Sequence, residues 1–223
     1  MIEQMSSSPT DIPSPSSPPP GDPAERKALG TARDVLTTDG EGVVRAAEQS
    51  FVCRFVPDPA GKRLIAPLAP AVFGLAEPVL WIPAEADDAL ALIVTIRPTE
   101  ESVLTDRWQA WHGAPEFPRW AAINVDSGKH EAWVFDSDEL LPPNPLAPAE
   151  PALCRLVNAN SGGLARLCER AAHVNVPSPL CVGVDDLGLH VRARFGVVRV
   201  HFDRPPRDAE DAKAMIEAML TGV

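Results

Sequence analysis

Five prolines fall within eleven residues, LPPNPLAPAEP at 141–151, and they divide the chain. A proline fixes its own φ, removes a backbone donor and pushes the preceding residue out of the helical region. The segment can therefore neither continue a strand nor begin a helix before its end, and it reads as a domain boundary. The periodicity on its two sides differs, as separate folding units require.

Downstream, over 152–223, Leu153, Leu156, Val157, Asn160, Leu164, Leu167, Cys168 and Ala171 recur at helical spacing. Three alternating stretches follow, PLCVGVD, LHVRARF and VVRVHFD, the first two joined by the turn VDDLG. In LHVRARFGVVRVHF, Leu189, Val191, Ala193 and Phe195 take one parity and His190, Arg192 and Arg194 the other. After Gly196, Val198, Val200 and Phe202 stand against Arg199 and His201. A period of two marks half-buried strands. A last helix starts at Asp208, with Asp211 three residues on as an acidic form of the capping box. The expectation is a helix, a three-stranded antiparallel meander and a helix, with the Leu189/Val198 face under the helices and the arginine-and-histidine face outside.

Upstream, residues 1–22 are mostly Ser and Pro, too poor in apolar side chains to bury a core, and read as a disordered tail. A helix is expected from about Pro23 to Leu36. From Gln49 the texture turns to strands: SFVCRFV, then KRLIAPL after the turn PDPAG, PVLWIP (78–83), LALIVTI (90–96), SVLTDRWQAW (102–111), WAAINV (120–125) and EAWVF (131–135). Asp126-Ser127-Gly128 reads as a hairpin turn between the last two, and a short helical patch is expected near Ala84 to Ala89. A run of about seven short strands makes a barrel or sandwich over 23–140.

The formal charge of -11 is uneven: eleven Lys and Arg stand against twenty-three Asp and Glu up to residue 151, and nine against eight after it. Such acidity excludes a general nucleic-acid binder. The N-terminal stretch has no apolar core for a secretory signal, and no run approaches the ~20 apolar residues of a membrane helix. Cys53, Cys154, Cys168 and Cys181 sit among apolar neighbours without a C-x-x-C spacing. The chain is expected to be cytoplasmic, off the membrane, with neither a zinc site nor a disulfide framework.

CVGVDDLGLHV, VRVHFDRP and an acidic-start helix ending in AML, set behind a strand-rich part, resemble the split-barrel proteins of the flavin-binding, pyridoxamine-phosphate-oxidase-like superfamily. The likeness is to those ending in the domain of unknown function 2470, with the HugZ-type haem-utilisation proteins as the known branch. EAWVFDSDEL is similar to the Trp-containing end of such barrels. The resemblance implies an α+β fold: an N-terminal split β-barrel followed by a small α-β-β-β-α domain with a three-stranded antiparallel sheet. It also implies a homodimer paired through the barrel sheet, with haem or a flavin at the junction. The first helix of the C-terminal domain usually carries a histidine, methionine, asparagine, then aspartate and a second histidine in that family. Here the stretch is LVNANSGGL: Asn158 matches, Leu156 and Ser161 stand at the histidines, and Asn160 replaces the aspartate. The positions that would carry haem chemistry lack their ionisable groups. The resulting reading is a non-catalytic or weakly active dimer that binds a planar anionic cofactor or a protein partner; the alternative is a haem- or flavin-dependent oxidoreductase.

The candidate binding residues are His190, Arg192, Arg194, Arg199 and His201 on the basic face, with Trp111 and His112 at the mouth of the loop HGAPEFP. Arginine forks hold carboxylates and phosphates bidentately, so haem propionates, a flavin phosphate or an acidic protein partner all suit. The acidic first part of this chain is itself such a partner, in the same chain or a dimer mate. The competing reading is an ordinary solvated sheet face. Trp81, Trp108, Trp111, Trp120 and Trp133 wall a planar cofactor in one reading and fill a core or dimer interface in the other. His112 is the candidate ligand to haem iron. FMN fits less well than haem, because IAPLAPAVFG has little hydroxyl or cationic character where such barrels hold the phosphate. No G-x-S-x-G, H-E-x-x-H, P-loop or dinucleotide fingerprint occurs.

Overall fold

The computed structural model describes residues 22–38, 40–117 and 119–222; the expected tail, up to residue 21, lies outside the described residues. Strands β1 (Glu41–Ala46), β2 (Gln49–Arg54), β3 (Val56–Pro57), β4 (Arg63–Pro67), β5 (Val79–Ile82), β6 (Leu90–Pro98), β7 (Trp120–His130) and β8 (Trp133–Asp136) form one antiparallel sheet. Its order is β2-β1-β5-β6-β7-β4-β3, with β8 paired to β7 beyond the β4 contact. The two ends of that order, β2 and β3, are consecutive in the chain and separated only by Phe55. The sheet therefore curls until its edges meet at one residue, which gives the split-barrel shape. Phe55 is fully buried there, and its N–H donates to the Gly40 carbonyl at 2.9 Å.

The inward positions are the apolar parity of each strand: Val44, Cys53, Leu64, Leu80, Ile82, Leu90, Leu92, Ile123 and Phe135 pack into one core. Helix α1 (Pro23–Thr38) covers it with Ala28, Ala32 and Leu36, spaced four apart on one stripe. The short helix α3 (Ser137–Leu140) adds Leu140 and Leu141.

Three expectations for this part fail, each for a local reason. Residues 102–111 are not a strand but most of α2 (Val103–His112). The Ser102 hydroxyl accepts from the Leu104 N–H and Thr105 Oγ1 accepts from the Ser102 N–H, so the helix start is capped. Thr105, Trp108 and Trp111 are then buried at a spacing of three. Asp126-Ser127-Gly128 is not a turn, because β7 runs straight through it; the reversal comes at Glu131, whose φ is 54°. A Cβ at Gly128 would lie 2.6 Å from the side chains of Leu92 and Leu140, so this glycine serves close packing instead. The patch near Ala84–Ala89 forms bends and turns without helix, and β1 was not foreseen.

The second sheet, β9 (Leu180–Val184), β10 (Gly188–Ala193) and β11 (Gly196–His201), is the expected meander, in the order β11-β10-β9. Its Leu189, Val191, Val198 and Val200 pack beneath α4 (Glu150–Asn158), α5 (Ser161–Ala172) and α6 (Ala209–Thr221). The single helix expected after the prolines is thus two, because Asn160 leaves the helical path and caps α5, accepting from the Gly163 N–H at 2.9 Å. Asp208 caps α6 as expected, accepting from the Asp211 N–H at 2.8 Å, but Asp211 does not close the expected box, its carboxylate being bound by Arg204 and Arg207.

The proline segment is held on both sides. Leu141 accepts from the Lys62 N–H at 3.0 Å, the Asn144 N–H donates to the Pro59 carbonyl at 2.9 Å, and Asn144 Nδ2 donates to the Val184 carbonyl at 2.9 Å. A third apolar cluster lies between the two sheets, built of Val56, Ile65, Trp108, Trp111, Trp120 and Ala122 with Val182 and Val197 of the second sheet packed on it.

Candidate functional site

Gly183, His190 and Arg199 stand side by side across β9, β10 and β11. They take the parity opposite to the residues under the helices, so they face α2. That face was expected outside; at its centre it is instead covered, with His190 2% and Arg199 5% exposed, while Arg194 and His201 are exposed as expected. The cover is Trp111. Its ring lies 4.3 Å from the His190 ring and its indole N–H donates to the Val182 carbonyl at 3.0 Å. A Cβ at position 183 would meet the Trp111 ring at 3.0 Å and Arg107 at 3.1 Å. Only glycine lets the indole settle onto the strand.

Burying a guanidinium needs a counter-charge, and the turn between β9 and β10 supplies it. Arg199 is bound by both oxygens of Asp185, and Asp185 Oδ2 also accepts from His190 Nε2 at 3.0 Å. The same carboxylate closes its own turn, accepting from the Leu187 and Gly188 N–H groups at 2.9 and 3.0 Å. Burial opposes ionisation of Asp185, but the bond from His190 and the charge of Arg199 outweigh it and hold the carboxyl well below its usual range. Burial and then Arg199 push the His190 pKa down to about 4, against the pull of Asp185, so the ring is neutral at physiological pH. Arg107 donates to Glu150 at 2.8 Å and lies over Trp111, 5.3 Å from its ring centre; Glu150 also accepts from the Val184 N–H at 3.0 Å.

Beyond Trp111 the contact between the sheets opens into a cleft of about 550 Å³. Trp111, His112, Arg192 and Arg194, four of the seven expected binding residues, line it together with Arg54, Glu41 and Phe195. Arg54 pairs with Glu41 at 2.8 Å. Arg192 donates to the Ala110 carbonyl at 2.7 Å, near the C-terminus of α2. Arg194 is exposed and makes no hydrogen bond or ion pair among the described residues. The cleft therefore carries two arginines without a carboxylate partner. His112 sits at the end of α2, where its Nε2–H donates to the Phe55 carbonyl at 3.0 Å; burial lowers its pKa despite that bond. With Nε2 committed, only Nδ1 is left, as a lone pair that can meet a metal or a donor.

The seven candidates thus separate into three places. His190 and Arg199 are buried beside Asp185, four line the cleft, and His201 lies apart, 3.8 Å from Asp34 of α1. Arg54 was not foreseen. In SFVCRFV its parity opposes Phe51, Cys53 and Phe55, which marks it as outward but not as a neighbour of Arg192. Among the described residues no group of three or more His, Cys, Asp and Glu is placed to hold a metal ion, and no helix is long and apolar enough to cross a membrane.

No protein-family model and no curated protein matches the sequence. Among solved structures, a protein of unknown function from Agrobacterium tumefaciens is similar over 94% of this chain and all of its own, with 14% identity and a TM-score of 0.69. That match shows a shared fold. A heme-binding protein from Mycobacterium smegmatis aligns with 87% of this chain and 96% of its own, at 13% identity and a TM-score of 0.37. A protein from Listeria innocua assigned to pyridoxamine 5'-phosphate oxidase aligns with 44% of this chain and 90% of its own, at 14% identity and a TM-score of 0.30. The last two superpose too loosely to carry an argument.

Proposed function

We propose that this chain is a binding protein for a planar, anionic small molecule, held in the cleft between the curled sheet and the β10–β11 hairpin. One observation carries the reading: Arg192 and Arg194, uncompensated by acid, share a cleft with the exposed ring of Phe195 and with His112, over a floor closed by buried Trp111. Arginines fix carboxylates or phosphates without exchanging protons, and aromatic faces accept a flat ring system. The set favours holding a ligand over transforming it, since the charged lining groups are arginines and a Glu41 already paired with Arg54, and the Nε2 of His112 is engaged by Phe55. Haem propionates fit the two arginines, and a haem iron would be left with His112 Nδ1 as its ligand.

Titration with haemin and with FMN, followed by absorbance and calorimetry, tests this. One of them is expected to bind, and Arg192→Ala with Arg194→Ala is expected to weaken it by about tenfold or more, the loss of one or two charged hydrogen bonds. If neither ligand binds, or if binding ignores both substitutions, the cleft is not a site for a flat anion and the acidic-partner reading replaces it.

Pairing of two copies through the barrel sheet is supported by one cross-strand row. Val52, Val43, Trp81, Ala91 and Val134 align on the outer face, interrupted only by Lys129. Val52 and Val134 are 65% and 67% exposed, and Ile93 nearby is 57% exposed, an apolar stripe that a monomer leaves in water. Light scattering is expected to give twice the chain mass, falling to one chain in Val134→Asp with Ile93→Asp; a wild-type mass of one chain sinks the pairing.

A further inference from the structure

The four cysteines are free, and Cys53 and Cys168 are buried in two different cores. The other two meet. Cys154 Sγ on α4 lies 3.8 Å from Cys181 Sγ on β9. One helical turn beyond Cys154, on the same face of α4, the side chain of Asn158 clamps the backbone of Cys181. Its Nδ2 donates to the Cys181 carbonyl at 2.9 Å and its Oδ1 accepts from the Cys181 N–H at 2.8 Å. This two-point bond fixes helix against strand at the level of the thiols, so the pair is held in register and does not meet by chance.

We propose that Cys154 and Cys181 form a peroxide-sensitive dithiol that closes reversibly to an intramolecular disulfide. Cys154 is half-buried while Cys181 is 3% exposed, so a small hydroperoxide reaches Cys154 first. The hydrogen bond from the Cys181 thiol favours the Cys154 thiolate, against the effect of burial, and correspondingly raises the Cys181 pKa. The Cys154 thiolate attacks one peroxide oxygen, the O–O bond breaks, and hydroxide leaves to be protonated to water; the sulfur is oxidised to a sulfenic acid. The Cys181 sulfur then attacks the sulfenic sulfur, forming the S–S bond and breaking the S–O bond. The departing hydroxyl takes the Cys181 proton and leaves as a second water. Two thiols and one hydrogen peroxide give one disulfide and two waters, and a thiol reductant reverses the result. Closure moves the sulfurs from 3.8 Å to the ~2.05 Å of a disulfide.

The location ties the pair to the cleft wall. Val182, next to Cys181, accepts the Trp111 indole N–H, and Glu150, one turn before Cys154, holds Arg107 and the Val184 N–H. A bond between the sulfurs sits between these two attachments of α2.

The test treats the full chain with hydrogen peroxide, then denatures it, alkylates free thiols and maps peptides by mass spectrometry. Alkylatable thiols are expected to fall from four to two, with Cys154 and Cys181 in one linked peptide, and dithiothreitol is expected to restore all four. Cys154→Ser is expected to keep its three thiols through the same treatment. This half-buried, near-isosteric variant preserves the test even where Cys181→Ser fails to fold. Retention of all four thiols overturns the proposal. So does a bridge involving Cys53, Cys168 or a second chain, or oxygen added to Cys154 while Cys181 still alkylates.

Discussion

Replacing Asp185 with alanine is expected to cost about 3–5 kcal/mol of folding free energy, because it leaves the guanidinium of Arg199 buried and unpaired. The turn before β10 also loses its two side-chain acceptor bonds. Urea denaturation reads the loss directly, and a change below about 1 kcal/mol shows that Arg199 is hydrated rather than enclosed. The same cluster sets a pH dependence. His190 has a folded pKa near 4 against about 6.5 when unfolded. Between those values the unfolded chain binds the extra proton, so stability falls as pH drops from about 6.5 to about 4, by roughly 3 kcal/mol. Asp185 is held below its unfolded value, so its contribution is present above about pH 4 and is lost on further acidification. Half-buried His112, also shifted down, acts in the same direction as His190. Denaturation curves across this range are expected to show the slope, reduced in His190→Gln; an unchanged slope assigns it to another group.

Trp111→Ala is the second large loss, again about 3–5 kcal/mol for a buried aromatic removed from a packed site. Trp111→Phe separates the two parts of that figure. It keeps most of the apolar contact with His190 and Gly183 but leaves the Val182 carbonyl without its donor, and is expected to cost about 1–3 kcal/mol. If phenylalanine proves as damaging as alanine, the indole hydrogen bond matters more than the packing. If both are harmless, Trp111 does not join the two sheets.

What the sequence disclosed and what it withheld follow from the range of each signal. The meander and its last helix were legible because Leu189, Val191, Val198 and Val200 alternate within single strands, and because Ala212, Ile216 and Leu220 repeat within one helix. Helix α2 was lost because SVLTDRW alternates as well as it repeats at helical spacing, and its capping partner is Thr105, a weaker cue than Glu or Gln. The burial of His190 and Arg199 was not legible locally. Their neutraliser, Asp185, reads as an ordinary turn acid, and their cover arrives from residue 111, far away in the chain. The cleft was half visible. Trp111, His112, Arg192 and Arg194 stood out by residue type, whereas Arg54 enters only through the way the sheet curls.

The proline segment is bonded to Pro59 and Lys62 on one side and to Val184 on the other, so it acts as a strut and not as a joint. The aperture between hairpin and sheet is thereby set before any visitor arrives. For a ligand held there as proposed, selection would rest on matching a fixed gauge, with little ordering of the protein left to offset the gain on capture.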